Sequence, residues 1–357
     1  MPNLRVLRFI FTLMIASLAM TTQANDSVPH RSFLSRLIAS FSDVDTSYIE
    51  PQHYNFAVMV QNTNNYELYR LSNKQGQSIL FSPEWSMKVG PYFGWRWVFL
   101  GYTLDVNHIS NSKKKKEIAL SLYSSRFGVD LFYRKSGNDY RIKSMYLGKD
   151  ISTEPLRNQS FGGLNSSIKG FNLYYIFNYR HFSYPAAFSQ STVQRHSSGS
   201  ALVGIGYTKH SLSVDWTQME DLIKEKLSGE GKAVIDSSMK VGKVEYSDIS
   251  VSGGYAYNWV FAHNWLFAAS LSAAIGYKSS TSRTNHSRWN IKDFDFKNFN
   301  LDGIGRFGVV WNNTKWFAGM SAIFHTYNYK KDQFSTNTTF GNVNVYIGFN
   351  FGKRKKL

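Results

Sequence analysis

One stretch of the sequence, NYRHFSYPAAFSQSTVQRHSSGS at 178–200, brings histidine and serine close together. His181 and Ser183 are two residues apart, and His196 directly precedes a pair of serines. A serine becomes a nucleophile when a histidine base lies within hydrogen-bond reach and a third group orients that base. The stretch therefore raises the hypothesis of a hydrolase that uses a serine nucleophile.

The surrounding residues favour ordinary loop residues instead. If the preceding strand continues, His181 and Ser183 fall on its odd-numbered, apolar face, whereas Asn178, the nearest amide, falls on the other face. Pro185 follows at once and ends strand pairing. His196 and the adjacent serine point apart on an extended chain. We therefore predict no catalytic residue here, although an orienting group from a distant strand stays open.

Other chemical sites leave no pattern in the sequence. The nine histidines are scattered, with no pair at ligand spacing, and the glycines of GGYAYN lack the spacing of a phosphate loop. Absence of cysteine excludes disulfides, thiolate metal sites and thiol nucleophiles. We predict no metal and no cofactor.

The first 24 residues have the three parts of a secretory signal. Arg5 and Arg8 form the basic part, the 12 residues Phe9–Met20 are apolar, and small residues follow, with cleavage after Ala24 or Ala19. The alternative is a membrane anchor, but about 12 residues are too few to span roughly 30 Å of hydrocarbon. No later run is long and apolar enough for a transmembrane helix, and mean hydropathy is −0.32.

The chain is strongly basic. Loss of Arg5 and Arg8 with the acid-free residues 1–24 takes the formal charge from +17 to +15. For an exported protein, this charge favours lipid headgroups and lipopolysaccharide as partners, and we predict no nucleic-acid partner. Runs such as KKKK at 113–116 and KRKK at 353–356 are also typical of a solvated surface, and that alternative stays open.

From residue 54 onward the sequence alternates with a period of two. In VNVYIGFNF at 343–351 the odd positions are apolar and the even positions are small or polar. The same split recurs at 127–134, 301–311 and 315–327, and each segment has about the ten residues that a tilted membrane-crossing strand needs. A soluble β-sandwich also alternates, so this pattern alone leaves both architectures open.

Three further features favour a membrane barrel. The polar faces are rich in Gly, Ser and Asn, which suits a wet or tightly packed lumen. Short links at 312–315 and 207–211 alternate with long ones at 181–199, 217–247, 278–299 and 328–340, as short periplasmic turns and long outer loops do. Aromatic residues form 16% of the chain and fall near predicted strand ends, as interfacial girdles do. They are Trp95, Trp97, Tyr257, Trp259, Trp265, Tyr277, Trp311, Trp316 and Tyr327.

These features predict an all-β fold, a transmembrane antiparallel up-and-down β-barrel of about 12 to 14 strands. Hydrocarbon leaves no partner for a free sheet edge, which is the physical reason for closure. The predicted strands are 54–62, 65–71, 86–94, 96–107, 116–124, 127–135, 170–180, 200–208, 209–216, 248–258, 265–277, 300–311, 315–327 and 341–351, with weaker segments at 78–82 and 140–147.

Two segments outside the strands have a helical pattern. In SFLSRLIASF at 32–41 the apolar residues share one helical face, which predicts a short periplasmic helix that packs at the membrane or plugs the barrel base. Met219, Leu222, Ile223 and Leu227 predict a second small helix in the 217–247 loop. The predicted organisation is a signal peptide at 1–24, a periplasmic segment at 25–53 and a barrel with a basic tail at 54–357.

Charged residues recur on the predicted lumen face. They would either line a pore and set its ion preference, or pair across the lumen and brace a small closed barrel. We favour the second interpretation. The residues are Asp105, Asp130, Arg134, Arg180, Asp215, Asp302, Arg306 and His325.

Four blocks, in order along the chain, carry a resemblance to a known family. They are YIEPQHYNFAVMVQN (48–62), SMKVGPYFGWRWVFLGYTLDV (86–106), SSRFGVDLFYRKSGNDY (124–140) and YYIFNYRHFSYPAAFSQSTVQRHSSGSALVG (174–204). Together they resemble an uncharacterised, domain-of-unknown-function family of Gram-negative outer-membrane barrels. The resemblance implies a barrel of unknown activity with no assigned catalytic residues.

We therefore expect an outer-membrane protein of a Gram-negative cell, exported through a cleaved signal peptide. A non-enzymatic channel, surface-interaction or structural role is the leading function, and the lipid-modifying hydrolase is the alternative. Expected partners are outer-membrane lipids, lipopolysaccharide and the barrel-assembly machinery during insertion.

Overall fold

The computed structural model describes nine stretches of the chain. They are 44–85, 87–95, 98–101, 104–105, 116–135, 139–227, 233–280, 299–331 and 334–354. The predicted signal peptide, the helix predicted at 32–41, residues 113–115 of the first basic run and residues 355–356 of the second lie outside the described residues.

Strands dominate the described residues. They are β1 Ile49–Pro51, β2 Tyr54–Asn73, β3 Ser78–Pro83, β4 Met87–Trp95, β5 Val98–Gly101, β6 Leu104–Asp105, β7 Lys116–Tyr123, β8 Phe127–Lys135, β9 Tyr140–Tyr146, β10 Leu164–Ile176, β11 Thr192–Gln194, β12 Ser198–Val214, β13 Lys243–Ala262, β14 Trp265–Ser280, β15 Phe299–Asn312, β16 Trp316–Lys331 and β17 Phe334–Lys353. The helices are a 3₁₀ turn at Glu154–Leu156, α1 at Tyr184–Phe188 and α2 at Trp216–Lys226. Within the described ranges, none of these helices has the length and hydropathy to cross a bilayer.

The main sheet is antiparallel, and chain neighbours pair almost throughout. Its path runs β5-β4-β2-β17-β16-β15-β14-β13-β12-β10-β8-β7, twelve strands, with β6 continuing β5 against β4. The first and last strands of this path follow one another in the chain on either side of 106–115. This up-and-down order, with the predicted even count, is that of an up-and-down β-barrel.

Contacts across the interior confirm that the sheet rolls up. Arg306 on β15 contacts Asp130 on β8, five strands away along the sheet path. The rings of Phe132 on β8 and Phe340 on β17 lie 5.5 Å apart. Such pairs meet only when the inner face of the sheet encloses a common interior.

The outer face carries an apolar belt, as the alternation predicts. Ile347 on β17 and Leu301 on β15 are 59% and 63% exposed, whereas the neighbouring inward residues Asn350 and Asp302 are buried. The faces predicted at 127–134, 301–311 and 315–327 are confirmed in the same way. Inverted burial, with apolar residues outside and polar residues inside, is typical of a barrel in lipid.

Aromatic side chains border this belt. Tyr257, Trp259, Trp265 and Trp316 are exposed at one level, and Tyr277 packs on Phe299 at the other. On β14 the ten residue-to-residue steps from Phe267 to Tyr277 span roughly 33 Å along the strand, or about 25 Å along the axis of a barrel with tilted strands. Tyr327 departs from the prediction, because it is an inward, buried residue.

The two ends of the barrel differ in their connections. At the end we call the turn end, links at 96–97, 124–126, 263–264 and 313–315 are two or three residues long. The opposite, loop end carries the longer links 74–86, 106–115, 136–163, 215–242 and 281–298 and the short link 332–333, while the turn end also has the 21-residue link 177–197.

Several strand boundaries predicted from sequence are wrong. Residues 200–208 and 209–216 form the single strand β12, with no turn at 207–211, and 54–62 and 65–71 form the single strand β2. The predicted loop at 328–340 is mostly strand in β16 and β17. Polar, turn-forming residues such as those of QNTNN in β2 look like turns locally, but pairing with neighbours along their full length keeps them extended.

Candidate functional site: the barrel interior

The stretch that first suggested chemistry folds into the barrel as a plug, which we define as residues 177–197. β10 ends at Ile176 rather than at 180, and the chain turns inward at the turn end. Pro185 then fits the first turn of α1, and the hydroxyl of Ser183 caps that helix by accepting from the amide of Ala186 at 3.3 Å. The prediction of an outer loop at 181–199 is therefore wrong, because the unsplit β12 reverses which end this link occupies.

Contacts around the barrel wall hold the plug in place. Tyr184 shares a hydrogen bond with Ser270 of β14, and Gln190 donates to the hydroxyl of Tyr346 of β17 at 2.7 Å. Ala186 and Ala187 are buried against Leu266, Ala268 and Val310. Tyr184 also stacks on the ring of Tyr123 of β7, 5.9 Å away and five strands from β14 along the sheet path, so the plug reaches across the lumen.

Gln194 fastens the two ends of the plug to each other. Its amide nitrogen donates to the carbonyl oxygens of His181 at 2.6 Å and His196 at 2.9 Å. Its amide oxygen accepts from the backbone of Ser183 and from Asn258 of β13, both at 3.0 Å. Gln194 is only 4% exposed, so these bonds replace contacts with water.

A strap, residues 44–53, covers the plug from the turn end. β1 in the strap pairs with β11 in the plug, with Glu50 opposite Val193. Arg195 donates to Glu50 at 2.5 Å, and His181 lies 3.3 Å from Asp45. The strap is thus fastened to the plug, and the periplasmic segment predicted at 25–53 stays a prediction.

The serines and histidines of the plug have structural partners. The hydroxyl of Ser183 lies 2.8 Å from that of Thr192 and caps α1, while the two ring nitrogens of His181 face Asn178 and Asp45. Asp45 is therefore a carboxylate that can orient His181, the kind of group that the sequence left open. However, the other ring nitrogen of His181 faces the side-chain amide of Asn178. These contacts fasten the plug to the strap and do not activate the Ser183 hydroxyl as a nucleophile.

His196 and Ser197, the second histidine–serine pair, also make structural contacts. The hydroxyl of Ser197 accepts from the backbone N–H of Val260 at 2.9 Å, which ties the start of β12 to β13. The ring of His196 lies edge-on to Tyr48 of the strap at 5.4 Å.

Buried ion pairs lie in the middle of the lumen, two between distant strands and one between the neighbouring strands β14 and β15. Arg306 pairs with Asp130, Arg134 lies 3.5 Å from Glu67, and Lys278 donates to Asp302 at 2.8 Å. All six side chains are at most 6% exposed. The predicted pairing across the lumen is confirmed for Asp130, Arg134 and Arg306, whereas Asp302 pairs with Lys278 on the neighbouring strand.

The other predicted lumen charges have different positions. His325 is buried in the interior beside the rings of Phe132 and Phe340. Arg180 is exposed in the plug, and Asp215 caps α2 from the loop end by accepting from Gln218 at 3.0 Å. The side chain of Asp105 lies outside the described residues.

A hydrophobic cluster, which we call the cap, closes the loop end. The helix predicted from Met219, Leu222, Ile223 and Leu227 is confirmed as α2, and its buried face packs into this cluster. Other members come from the β3–β9 pair, from the 3₁₀ turn and from the upper parts of barrel strands: Phe81, Ile142, Leu156, Phe161, Tyr246 and Tyr329. Between cap and plug, one small cavity of about 40 Å³ is lined by Asp130, Arg134 and His325 among others.

Metal chemistry finds no support in the described part of the chain. There, no three His, Asp or Glu side chains are grouped closely enough to hold an ion. The absence of a metal or cofactor site therefore stays a prediction.

Sequence reasoning missed several interior residues. Glu67 lay within the predicted strand 65–71 but was not singled out, Lys278 fell just beyond the predicted strand 265–277, and Gln194 lay in a predicted loop. A signal for the first two exists in the sequence. The alternation in YELYRL places Glu67 on the inner face, and the alternation in AAIGYKSS continues past residue 277 and places Lys278 there too.

The fold and its filled interior define a plugged β-barrel of the outer-membrane type. The chain belongs to the family described as a domain of unknown function, DUF4421, whose model matches residues 43–351. The family resemblance predicted from four sequence blocks is thereby confirmed. No curated protein matches the sequence.

Solved structures with similar folds have diverse activities. The outer-membrane protease OmpT from Escherichia coli is 6% identical, with a TM-score of 0.30, and the match covers 83% of this chain and 97% of that one. The toluene transporter TodX of P. putida is 10% identical, with a TM-score of 0.25, and the match covers 84% of this chain and 91% of that one. Ail, the attachment invasion locus protein of Yersinia pestis, is 8% identical, with a TM-score of 0.18, and the match covers 81% of this chain and 97% of that one. At these sequence identities and TM-scores, the activities of those proteins cannot be assigned to this chain.

The strap is expected to loosen in acid. Burial raises the pKa of Glu50, but hydrogen bonds from His53 and Arg195 outweigh it and hold the pKa below the ordinary 4.5. A carboxylate with a lowered pKa stabilises the folded state above its unfolded pKa, and this is lost as pH falls through the folded pKa. Strap closure should therefore be constant at neutral pH and weaken below about pH 4.

Glu50→Gln should reproduce this loosening at pH 7. The native chain has no cysteine, so a thiol introduced by Val193→Cys reports on the covered plug without background. Because the Glu50–Arg195 pair is partly exposed, we expect maleimide labelling to rise about 2- to 5-fold. Glu154→Gln, which breaks an exposed pair with Arg157, is the control, and equal labelling in both variants would contradict the role of Glu50.

Proposed function

We propose that this chain is an integral outer-membrane β-barrel that is closed at rest and acts through its outward surface, as a surface-interaction or structural protein. The observation that carries the proposal is the plug, which hydrogen-bonds to several wall strands while ion pairs fill the lumen above it. A permanently open pore needs a continuous wet path. The buried plug, the paired charges and the apolar cap favour a closed interior instead.

The apolar belt supports insertion in a membrane. Outward residues such as Leu271, Leu301 and Ile347 are about 60% exposed, which is costly in water and favourable in lipid. The interior of the same strands is polar and buried, so a soluble protein would have this pattern reversed. The contrast between turn end and loop end supports the outer membrane, with the loop end outward.

The hydrolase alternative has weaker support. Ser183 is 3% exposed and its hydroxyl has partners in Thr192 and the start of α1, so a lipid carbonyl has no access to it. If catalysis did occur, Ser183→Ala would abolish it. We expect that Ser183→Ala leaves the lipid composition of the cell unchanged.

Spin labels test membrane insertion directly. Labels at Leu271→Cys and Ile347→Cys should be reached by oxygen dissolved in lipid, whereas a label at Ser237→Cys, exposed near the loop end, should be reached by a water-soluble nickel complex. The protein should also fractionate with the outer membrane and migrate faster in gels before heating than after. Equal access of the nickel complex to all three sites would overturn the membrane assignment.

A further inference from the structure

Three lysines form a row on the outside of the barrel wall, one on each of three adjacent strands. Lys135 on β8, Lys169 on β10 and Lys209 on β12 have the same parity as the outward residues Leu131, Phe171 and Ile205. Lys169 lies directly opposite Lys209, and Lys135 lies opposite Ser167, one outward position from Lys169. Directly opposed residues have Cα atoms about 4.5–5.5 Å apart, so the row concentrates three positive charges.

Within the described residues, one carboxylate lies beside this row. Glu245 on β13 lies opposite Ser211, is paired with Lys243 at 2.6 Å and also attracts Lys209. Like charges directly opposite one another destabilise a sheet. A single carboxylate that is shared between Lys243 and Lys209 leaves the row with a net positive charge, which favours an anion from outside the chain at this site.

The level of the row in the wall indicates which anion. Lys209 lies one outward position beyond Tyr207, and Tyr207 is opposite Ile249, which is opposite Tyr277 of the upper aromatic girdle. The row therefore follows the border of the apolar belt on its loop-end side. This is the depth of the headgroup phosphates of the outer leaflet.

The residues on either side of the row match an amphipathic ligand. Toward the belt lie the rings of Phe171 and Tyr207, 6.4 Å apart, which offer a surface for acyl chains. Away from it, the hydroxyl residues Ser167 and Ser211 stand opposite each other. Ammonium and hydroxyl donors above an aromatic and apolar face suit a phosphate group attached to lipid chains.

We propose that Lys135, Lys169 and Lys209 bind the phosphate groups of a phosphorylated glycolipid of the outer leaflet, of the lipopolysaccharide type. This rests on the proposed outer-membrane location, with the loop end outward. The bound phosphate relieves the repulsion between Lys169 and Lys209 and fixes this side of the barrel to its lipid neighbours.

The test compares two triple variants that lose the same charge. One is Lys135→Gln/Lys169→Gln/Lys209→Gln, and the control is Lys74→Gln/Lys149→Gln/Lys224→Gln, at exposed loop-end sites. Purified lipopolysaccharide is titrated into the detergent-solubilised full-length proteins, and binding is followed by native mass spectrometry. Each lysine near an anionic lipid surface is worth roughly 5-fold, so the row variant should lose about 100-fold in affinity and the control less than 5-fold.

Chemically altered probes identify the ligand. Dephosphorylated lipopolysaccharide should bind the wild type as weakly as the intact glycolipid binds the row variant. Inorganic phosphate should bind far more weakly than the glycolipid. Equal losses in both triple variants, equal binding of the dephosphorylated probe, or equally strong lysine-dependent binding of phosphatidylglycerol would overturn the proposal.

Thermal melting separates a lost site from a misfolded protein. Lipopolysaccharide should raise the melting temperature of the wild type in a concentration-dependent way and leave that of the row variant unchanged. In uncharged detergent the row variant should melt at the wild-type temperature or above it, because repulsion is removed. A lower melting temperature in that detergent would contradict the inferred repulsion. Failure of the outer-membrane assignment would appear in cell fractionation and spin-label access, independently of these affinities.

Discussion

Replacing Asp130 with alanine is expected to lower the free energy of unfolding by about 3–5 kcal/mol. Arg306 is 2% exposed and pairs with Asp130 across the lumen, between the rings of Tyr174 and Tyr184. Without the carboxylate, a guanidinium charge stays buried with no opposite charge beside it. Urea unfolding of the protein in phospholipid vesicles, followed by tryptophan fluorescence, measures the loss.

The double variant Asp130→Ala/Arg306→Met provides the decisive control. It removes both charges, so it should recover most of the stability lost in Asp130→Ala. Asp150→Ala, at an exposed loop-end position, should change the stability by less than about 0.5 kcal/mol. If the double variant is as unstable as the sum of its single variants, the pair does not act as a unit.

Gln194→Leu is expected to release the plug. The substitution keeps a similar side-chain volume but removes hydrogen bonds to the carbonyl oxygens of His181 and His196, the amide of Ser183 and the side chain of Asn258. Each buried polar group left without a partner costs about 1–3 kcal/mol, so the closed plug loses several kcal/mol. The barrel strands keep their own pairing, and the loss should therefore concentrate in the plug.

Labelling of a buried plug residue measures this release. Ala187→Cys is fully buried in the closed plug and should become reactive to a water-soluble maleimide in the Gln194→Leu background, by at least 10-fold. Gln159→Leu, which removes an exposed amide bonded to the carbonyl of Pro155, is the matched control and should not alter labelling. Unchanged protection of Ala187→Cys after Gln194→Leu would contradict the fastening role.

The sequence predicted the wall of this protein far better than its interior. Alternation reports which face of a strand meets lipid, so the faces of β8, β15, β16 and β17 and the pairing role of Asp130 and Arg306 could be read directly. The strand ends could not be predicted in this way. Asn, Thr and Lys inside β2 and β12 are turn-forming residues, and only pairing with neighbouring strands holds them extended. Splitting β12 in two then reversed the end at which 177–197 lies.

The plug shows why local patterns of catalytic residues mislead. Ser183, His181 and Pro185 resemble a hydrolase motif interrupted by a strand breaker. In three dimensions Ser183 and Pro185 begin a helix, and His181 faces the strap. The Gln194 contacts that fix this arrangement join residues from four parts of the chain, and no periodicity encodes them.

Ion conductance of the purified wild-type protein tests the closed barrel most directly. Protein whose insertion into planar bilayers is verified by heat-modifiable mobility should give no stable conductance steps across a range of salt concentrations, because plug, ion pairs and cap occupy the lumen. Gln194→Leu should increase transient current events relative to Gln159→Leu. Steady, ohmic single-channel steps from the wild type would contradict the proposal that this barrel is closed at rest.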